Sequence, residues 1–271
     1  MTDSARTEVQ RRTTFTPWVE HFTRNVAVQR AIEREIDWDA PCTLDATTRR
    51  AFVRSFRRFE LGENGDGARL LVKAEAAGDL VYLDALRRLV TEEQKHSALF
   101  RRGLEHLGAQ PVESHWSDSA FTTLRRMLGL RTELALFLVA ETVAMGYFTA
   151  LASAAPDAVL RGIGRRIETD ERDHVRFQVD RLRLGFATTP APVRAVVLAS
   201  WTVVALGAAT VLVTDHAGAL RACGLRPARV WVDSLTTFAR AARSVLGDPT
   251  AAPLGPTTAL GGAARPAGPG Q

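Results

Sequence analysis

The stretch DERDH at residues 170–174 has the pattern acid-Glu-x-x-His, and EEQKH at residues 92–96 repeats it. In each stretch the glutamate of the pattern and the histidine are three residues apart, so an α-helix places both on one face. Apolar residues around both stretches recur with helical periodicity. The chain is therefore predicted to contain two helices that each present a carboxylate and an imidazole.

A single glutamate precedes each pair at the same distance. Glu63 lies 30 residues before Glu93, and the interval recurs between Glu141 and Glu171. The midpoint of each interval falls at a turn signal, a glycine in the first half and Pro156 in the second. Each half therefore predicts an antiparallel helical hairpin, in which residues equidistant from the tip lie at the same height. We expect four glutamates and two histidines to meet at one level.

These polar residues occupy the apolar seams of their helices. Leu89, Glu93, His96 and Phe100 follow one another at spacings of four, three and four residues. Four carboxylates buried together repel one another unless cations neutralise them. Two divalent ions would do so, and mixed carboxylate and imidazole ligands suit iron or manganese. A buried hydrogen-bonded cluster, or surface residues that meet by chance, are the alternatives.

Strand signals are scarce and helical periodicity extends along the chain, so we predict an all-α protein. A continuous helical segment is expected over 46–77, a short helix near 119–128, and helices over 193–222 and 227–245. The predicted organisation is a disordered N-terminus at 1–16, a lead-in helix at 17–44, a four-helix bundle at 45–186, a helical extension with two additional helices at 191–246, and a disordered Pro/Gly-rich tail at 247–271.

Composition is that of an ordinary globular protein, with 46% hydrophobic and 24% charged residues. The net charge of +5 comes almost entirely from arginine, which indicates a compositional bias and predicts no nucleic-acid partner. No secretory signal is evident, and Cys42 and Cys223 share no metal spacing, so a cytoplasmic location with reduced cysteines is expected. The uncharged run 195–214 predicts a buried helix; membrane contact, a dimer seal and a cover over a substrate entrance are alternatives.

The doubled pattern resembles the di-iron carboxylate site of ferritin-like four-helix bundles, in which two helices give one glutamate each and two give Glu-x-x-His. The acid before each pair is similar to that in acyl-carrier-protein desaturases and the ribonucleotide reductase small subunit. FELGENGDG, VAETVAMGYF and DERDHVRFQ resemble a group of bacterial ferritin-like proteins. The resemblance covers 45–186 and implies two iron ions, or an iron and manganese pair, with the ligands Glu63, Glu93, His96, Glu141, Glu171 and His174.

The resemblance also implies supporting residues. Glu92 and Asp170 would accept hydrogen bonds from the outer ring nitrogens of the histidines and orient them. Glu60, one turn before Glu63, is the competing ligand on the first helix, and the equal distances from the hairpin tip favour Glu63. Ile167 stands where arylamine N-oxygenases have an additional histidine, which weighs against assigning arylamine N-oxygenation specifically.

The expected activity is a non-haem di-iron oxidoreductase that uses O2 to hydroxylate, desaturate or N-oxygenate a small organic substrate. Electrons would come from a separate ferredoxin or reductase, because the sequence has no flavin or nicotinamide motif. The alternatives are a ferroxidase or iron-storage protein and a non-enzymatic, membrane-associated ferritin-like partner. A homodimer is compatible with the expected oxidoreductase. Expected cavity walls are Phe56, Phe59, Phe137, Leu138 and Phe148.

Three further expectations concern individual residues. Tyr147 is expected to be a core residue, with a redox role near the metals as the alternative. Asp215 and His216 are expected to cap the end of the apolar helix. The remaining histidines, His21, His106 and His115, are expected at the surface.

Overall fold

A computed structural model describes residues 3–65, 67–112, 129–248 and 250–257, with side chains from Thr14 onward. Within these ranges the protein is helical and contains no strand, which confirms the predicted all-α class. The helices are α1 (Asp3–Arg34), α2 (Ala46–Glu63), α3 (Ala68–Ala76), α4 (Leu80–His106), α5 (Leu130–Ala154), α6 (Ala158–Phe186), α7 (Ala191–Asp215), α8 (Ala217–Ala222) and α9 (Pro227–Leu246).

Aspartate side chains cap the N-termini of α4 and α6, the two helices that carry the Glu-x-x-His pairs. Asp79 accepts a hydrogen bond from the Tyr82 amide at 3.0 Å and starts α4, and Asp157 accepts one from the Leu160 amide at 3.1 Å and starts α6. Each carboxylate satisfies an amide that has no partner within the helix. Gly108, with φ of 68°, ends α4 in the left-handed region.

Helices α5 and α6 form a hairpin through the short connection 155–157. Gly164 packs against the backbone of Ala152 near the tip, and further along Gln178 donates a hydrogen bond to Glu141. The residue numbers of these pairs rise on one helix as they fall on the other, which shows that the two helices are antiparallel along the hairpin. Helices α2 and α4 are antiparallel in the same way, with α3 inserted between them.

The two hairpins meet along α4 and α6, which run antiparallel to each other. His96 faces Asp170 near the middle of the contact, and His106 faces Asp157 at one end. Helix α5, the antiparallel partner of α6, therefore runs in the same direction as α4. The end of α4 and the start of α5 therefore lie at opposite ends of the molecule, and residues 113–128 between them lie outside the described part of the chain.

Helix α1 packs against α4 and α6 and buries Phe15, Trp18 and Phe22. The expected lead-in helix is present with different bounds, because α1 begins at Asp3 and ends at Arg34. Residues 3–16, expected to be disordered, are therefore helical. The polar N-terminal sequence continues directly into an apolar stripe that needs a partner, and tertiary burial stabilises a helix more than propensity does.

The expected continuous helix over 46–77 is broken at residues 64–67. Gly67 adopts a φ of 64°, and a Cβ there would lie 2.7 Å from a methyl carbon of Val90. Only glycine fits this combination of left-handed backbone and close packing. Helix α3 then turns back onto α4 and α5. The break leaves Glu63 as the last residue of α2.

Helices α7 and α9 pack on α5, and the short α8 packs on α2. The expected helix over 193–222 is divided at His216 into α7 and α8. Two helices, α5 and α7, are long and apolar enough to cross a membrane; 67% of the relevant window is buried in α5 but only 22% in α7. Val196 and Val203 on α7 are 67% and 69% exposed. The prediction that 195–214 is buried on most sides is therefore wrong.

The segment 250–257 lies along α6 and is held by two buried aspartates. Asp180 accepts hydrogen bonds from the Leu254 and Gly255 amides at 2.7 and 3.0 Å, and Asp173 accepts one from the Thr257 amide at 2.8 Å. The expected disorder of 247–271 is therefore wrong for 250–257. The rest of that tail, 258–271, and the helix expected near 119–128 lie outside the described residues.

The close approach of α5 and α6 at Gly164 gives a test of this packing. A Cβ at Gly164 would lie 2.5 Å from the Ala152 backbone nitrogen, so Gly164→Ala must push the two helices apart. We expect it to lower the free energy of unfolding by about 1–3 kcal/mol, measured by urea denaturation. Gly207→Ala, in open space on α7, is the matched control and should be neutral or slightly stabilising. Equal stability of the two variants would contradict the packing.

Candidate metal centre

The six predicted ligands converge at the contact between the two hairpins, and we call them the Glu/His cluster. Ligand atoms of the two Glu-x-x-His pairs lie within 4.8 Å of one another. Each single glutamate interacts with these pairs from its own helix, α2 or α5. The cluster consists of Glu63, Glu93, His96, Glu141, Glu171 and His174. The structure thus brings together every residue that the doubled pattern selects.

The histidine Nδ1 atoms point to the centre of the cluster. His174 Nδ1 lies 2.7 Å from Glu93 Oε1, and His96 Nδ1 lies 3.3 Å from Glu171 Oε1. The two imidazole ring centroids are 5.5 Å apart. Both rings are fully buried, so the nitrogens and carboxylates interact in a medium of low polarity.

Electrostatics in the cluster follow from this crowding. Burial, together with the charges of Glu93 and Glu171, raises the pKa of Glu63 and of Glu141 well above the ordinary value. Burial also acts on Glu93, but the nearby His174 and His96 outweigh it and hold its pKa well below the usual range. Four carboxylates therefore cannot all be ionised here without additional positive charge.

The outer nitrogens of the histidines bind the predicted supporting acids in a reciprocal arrangement. His96 Nε2, on α4, lies 3.0 Å from Asp170 on α6, and His174 Nε2, on α6, lies 2.9 Å from Glu92 on α4. Burial lowers the pKa of each imidazole, but these carboxylate contacts and those inside the cluster raise both pKa values well above the ordinary one. A proton held at Nε2 leaves the Nδ1 lone pair directed inward, as metal ligation requires.

Helix α1 supplies two buried amides that the sequence analysis did not select. Asn25 Nδ2 donates hydrogen bonds to both Glu92 and Asp170 at 2.9 Å, and Gln29 Nε2 also donates to both carboxylates. Lys95 donates a hydrogen bond to the side-chain Oε1 of Gln29 at 2.7 Å. The sequence contains a signal for both amides, because Asn25 and Gln29 continue the alternating three- and four-residue spacing of the buried Phe15, Trp18 and Phe22.

One buried arginine adds positive charge behind the histidines. Arg166 donates hydrogen bonds to Asp170, one turn further along α6, and to Glu33 of α1 at 2.9 Å. His96, Arg166 and the other nearby positive charges hold the pKa of Asp170 far below its ordinary value despite burial, so this acid stays ionised as an acceptor. No sequence motif distinguishes Arg166 from the many other arginines of the chain, so this role could not be predicted.

The competing ligand Glu60 does not face the cluster. Its carboxylate accepts a hydrogen bond from Arg101 at 2.7 Å and lies 3.5 Å from the Ser97 hydroxyl, so it is engaged by two side chains outside the cluster. Burial raises the pKa of Glu63, which instead lies close enough to Glu93 and Glu171 for their charges to raise it further. The geometry therefore favours Glu63 as the contribution of α2, as the equal distances from the tip predicted.

Buried polar atoms that lack a hydrogen-bond partner indicate whether the Glu/His cluster is suited to a metal ion. The buried atoms without a hydrogen-bond partner among the described residues concentrate at the centre of the cluster, and the 2.7 Å contact of His174 Nδ1 is outside hydrogen-bond geometry. Buried polar atoms are rarely left without partners, so this concentration indicates a cationic ligand. Those in the cluster are Glu93 Oε1, His96 Nδ1, Glu141 Oε2, both Glu171 oxygens and His174 Nδ1.

A cavity of about 1010 Å³ opens beside the cluster. Its wall includes all four cluster glutamates, residues of the break after α2, and the inner side of α7. Exposed residues at 64–65 and Gly207 lie on its rim, so α7 and the break form the mouth. Of the expected walls, Phe59, Phe137 and Phe148 line the cavity. Phe56 and Leu138 do not, because both pack fully into the core.

Other single-residue expectations were partly wrong. Tyr147 is a buried core residue, as expected, and its hydroxyl binds Ser55. His216 does not serve merely as a cap, because its ring is buried and its Nδ1 lies 2.7 Å from Ser55 Oγ. His106 is not at the surface but is buried against Asp157, and His21 packs between Trp18 and Asp173. His115 lies outside the described residues.

Comparisons with known protein families, curated proteins and solved structures find no match for this chain. The functional argument therefore depends on the geometry of the Glu/His cluster and its surroundings.

The outer acceptors predict a measurable effect on metal affinity. Asp170→Asn keeps the size of the side chain but weakens the acceptor for His96 Nε2, so the imidazole loses its fixed orientation. We expect a 10- to 100-fold rise in the Kd for Fe(II), roughly the effect of losing such a contact. Glu105→Gln, an exposed change on α4, is the control for the loss of one negative charge. Unchanged affinity in Asp170→Asn would contradict the orienting role.

His216 predicts a pH dependence of stability. Burial lowers its pKa to about 4, below the ordinary value of 6.5. The unfolded chain therefore binds a proton that the folded chain does not bind between these values, and the folded state loses stability as the pH falls from 6.5 toward 4. This loss should reach roughly 2.5 kcal/mol at pH 4.5. Urea denaturation of His216→Gln at pH 7 and 4.5 should show a correspondingly smaller loss than the wild-type chain; equal losses would contradict the assignment.

Proposed function

We propose that this protein is a non-haem di-iron oxidoreductase that uses O2 to oxidise a small organic substrate. The observation that carries the proposal is the concentration of unsatisfied, inward-facing carboxylate and imidazole atoms beside a cavity. Oxygen and nitrogen donors without thiolate suit iron, with an iron and manganese pair as the variant. Two iron ions held by the Glu/His cluster would supply the redox chemistry of O2 reduction and substrate oxidation.

The fold supports the same proposal. Two antiparallel hairpins, with α4 and α5 running in the same direction, are what a ferritin-like bundle would require. A ferritin-like bundle places one glutamate on each of two helices and Glu-x-x-His on each of the other two. The positions of the cluster residues on α2, α4, α5 and α6 follow this distribution.

The protein's own residues would prepare the site in three ways. Asp170 and Glu92 hold the histidine protons at Nε2 and keep Nδ1 free for a metal. Asn25 and Gln29 fix those two acids in turn. The apolar wall of the cavity limits water around the reacting groups, which strengthens electrostatic interactions with a bound substrate. Electrons would come from a separate ferredoxin or reductase.

The exposed apolar face of α7 favours a second candidate, a ferritin-like protein whose α7 contacts a membrane or a partner chain. This helix has a mean hydropathy of 2.2 in its most apolar window while most of that window is exposed. Such a face is unusual for a helix of a soluble monomer. Membrane contact is also compatible with the oxidoreductase, because α7 forms one side of the cavity mouth.

An anaerobic Fe(II) titration tests the proposal. The purified chain should bind about two Fe(II) per chain and develop ferric absorbance on addition of O2. His96→Ala and His174→Ala should each lose bound iron, because each removes a ligand from the centre of the cluster. His106→Ala removes another buried histidine of α4, outside the cluster, and should keep both ions.

Three results would direct the assignment elsewhere. Iron uptake far beyond two ions per chain would indicate storage. Full retention of iron by both His96→Ala and His174→Ala would mean that the cluster is not the metal site. An absence of tight Fe(II) binding would favour the membrane or partner function suggested by α7.

A further inference from the structure

A buried chain of three polar side chains lies next to the cavity, away from the metal-ligating atoms. Ser55 of α2 donates a hydrogen bond to the Tyr147 hydroxyl of α5 at 2.6 Å, and its Oγ lies 2.7 Å from His216 Nδ1, between α7 and α8. All three side chains are buried. Three separate elements therefore hold the His216 ring in one orientation.

The hydrogen bonds occupy one nitrogen of this ring. Ser55 Oγ bridges the Tyr147 hydroxyl and His216 Nδ1, so Nδ1 is used inside the protein. Burial keeps the ring neutral at pH 7. The other nitrogen, Nε2, has no hydrogen-bond partner within the described part of the chain, and a neutral imidazole can form one hydrogen bond there with a hydroxyl group.

His216 lines the cavity beside the Glu/His cluster. The ring of Phe59 packs against it with centroids 4.6 Å apart, and Phe59 lies one turn before Glu63 on α2. Two other charged residues of this wall, Arg58 and Asp215, form an ion pair of 3.5 Å with each other. Their charges are thus engaged, whereas His216 Nε2 is free to bind a ligand.

The surrounding wall is apolar, with Phe148 from α5 and Val204, Ala208 and Leu212 from α7. A ligand of this cavity would therefore be largely apolar and would meet one neutral hydrogen-bonding nitrogen, His216 Nε2, on the side away from the carboxylates. In a pocket of this kind, a few placed polar groups set the orientation of the ligand.

We propose that His216 is a positioning residue that binds the hydroxyl group of an otherwise apolar substrate. The hydroxyl forms a hydrogen bond with Nε2, while the apolar body fills the cavity toward the Glu/His cluster. The inference rests on the proposed function in taking this cavity as the substrate site. The binding preference itself requires no metal, so it can be tested separately.

The test uses two probes of nearly the same shape, 2-(2-naphthyl)ethanol and 2-propylnaphthalene, which differ by a hydroxyl in place of a methyl group. Equilibrium dialysis against the full-length, metal-free chain, read by naphthalene fluorescence, gives both Kd values. We expect the wild-type chain to bind the alcohol about tenfold more tightly, as one buried hydrogen bond allows. His216→Phe should abolish this preference while it keeps the affinity for 2-propylnaphthalene within about twofold.

Companion variants separate positioning from general structural damage. His216→Gln retains a polar group that can bind a hydroxyl and should restore part of the preference. Ser55→Ala should reduce the preference because the ring loses the contact that fixes its orientation, and His106→Phe, at a buried histidine outside the cavity, should leave it unchanged. Structural damage would weaken both probes alike and would not change their ratio.

Equal Kd values of the two probes for the wild-type chain, or no binding of either, would overturn the proposal. Retention of the preference by His216→Phe would also overturn it. Repeating the dialysis after Fe(II) loading keeps this result distinct from the metal assignment. A chain that binds no iron but discriminates the alcohol would refute the di-iron function and leave the His216 site standing.

Discussion

The burial of like charges at one level of the molecule is the constraint on which the rest of the structure depends. Four glutamates meet between the hairpins, and two further acids, Glu92 and Asp170, lie directly behind the histidines. Such a group is destabilising unless cations and hydrogen-bond donors surround it. Arg166, Asn25 and Gln29 meet part of this need from behind, and the unsatisfied atoms in the centre require positive charge there.

The sequence predicted this site well because the site depends on local periodicity. Glu93 and His96 share a helix face whatever the tertiary structure, and equal distances from a hairpin tip place Glu63 opposite Glu93 even though the helix breaks after Glu63. Aspartates at 79 and 157 mark helix starts for a purely local reason, a side-chain hydrogen bond to a nearby amide. Local rules of this kind can be derived from one sequence.

Residues whose role arises from tertiary contact could not be predicted in the same way. Asn25 continues the buried stripe of α1 and His216 ends the apolar helix, but only the docking of α1 and the junction of α7 and α8 gives them their partners. The segment 250–257 has the composition of a disordered tail, but its amides find the buried acceptors Asp173 and Asp180. Amino-acid composition cannot predict backbone hydrogen bonds to specific carboxylates. The exposure of one side of α7 is equally unpredictable from composition, because it depends on which helices pack beside α7.

The reciprocal pairing of histidines and acids has a consequence for how the site assembles. Each hairpin supplies a histidine whose outer acceptor belongs to the other hairpin, His96 with Asp170 and His174 with Glu92. Neither half is therefore complete alone. Separating the hairpins would remove the outer acceptors of both histidines at once, so the two halves of the site must form together or not at all.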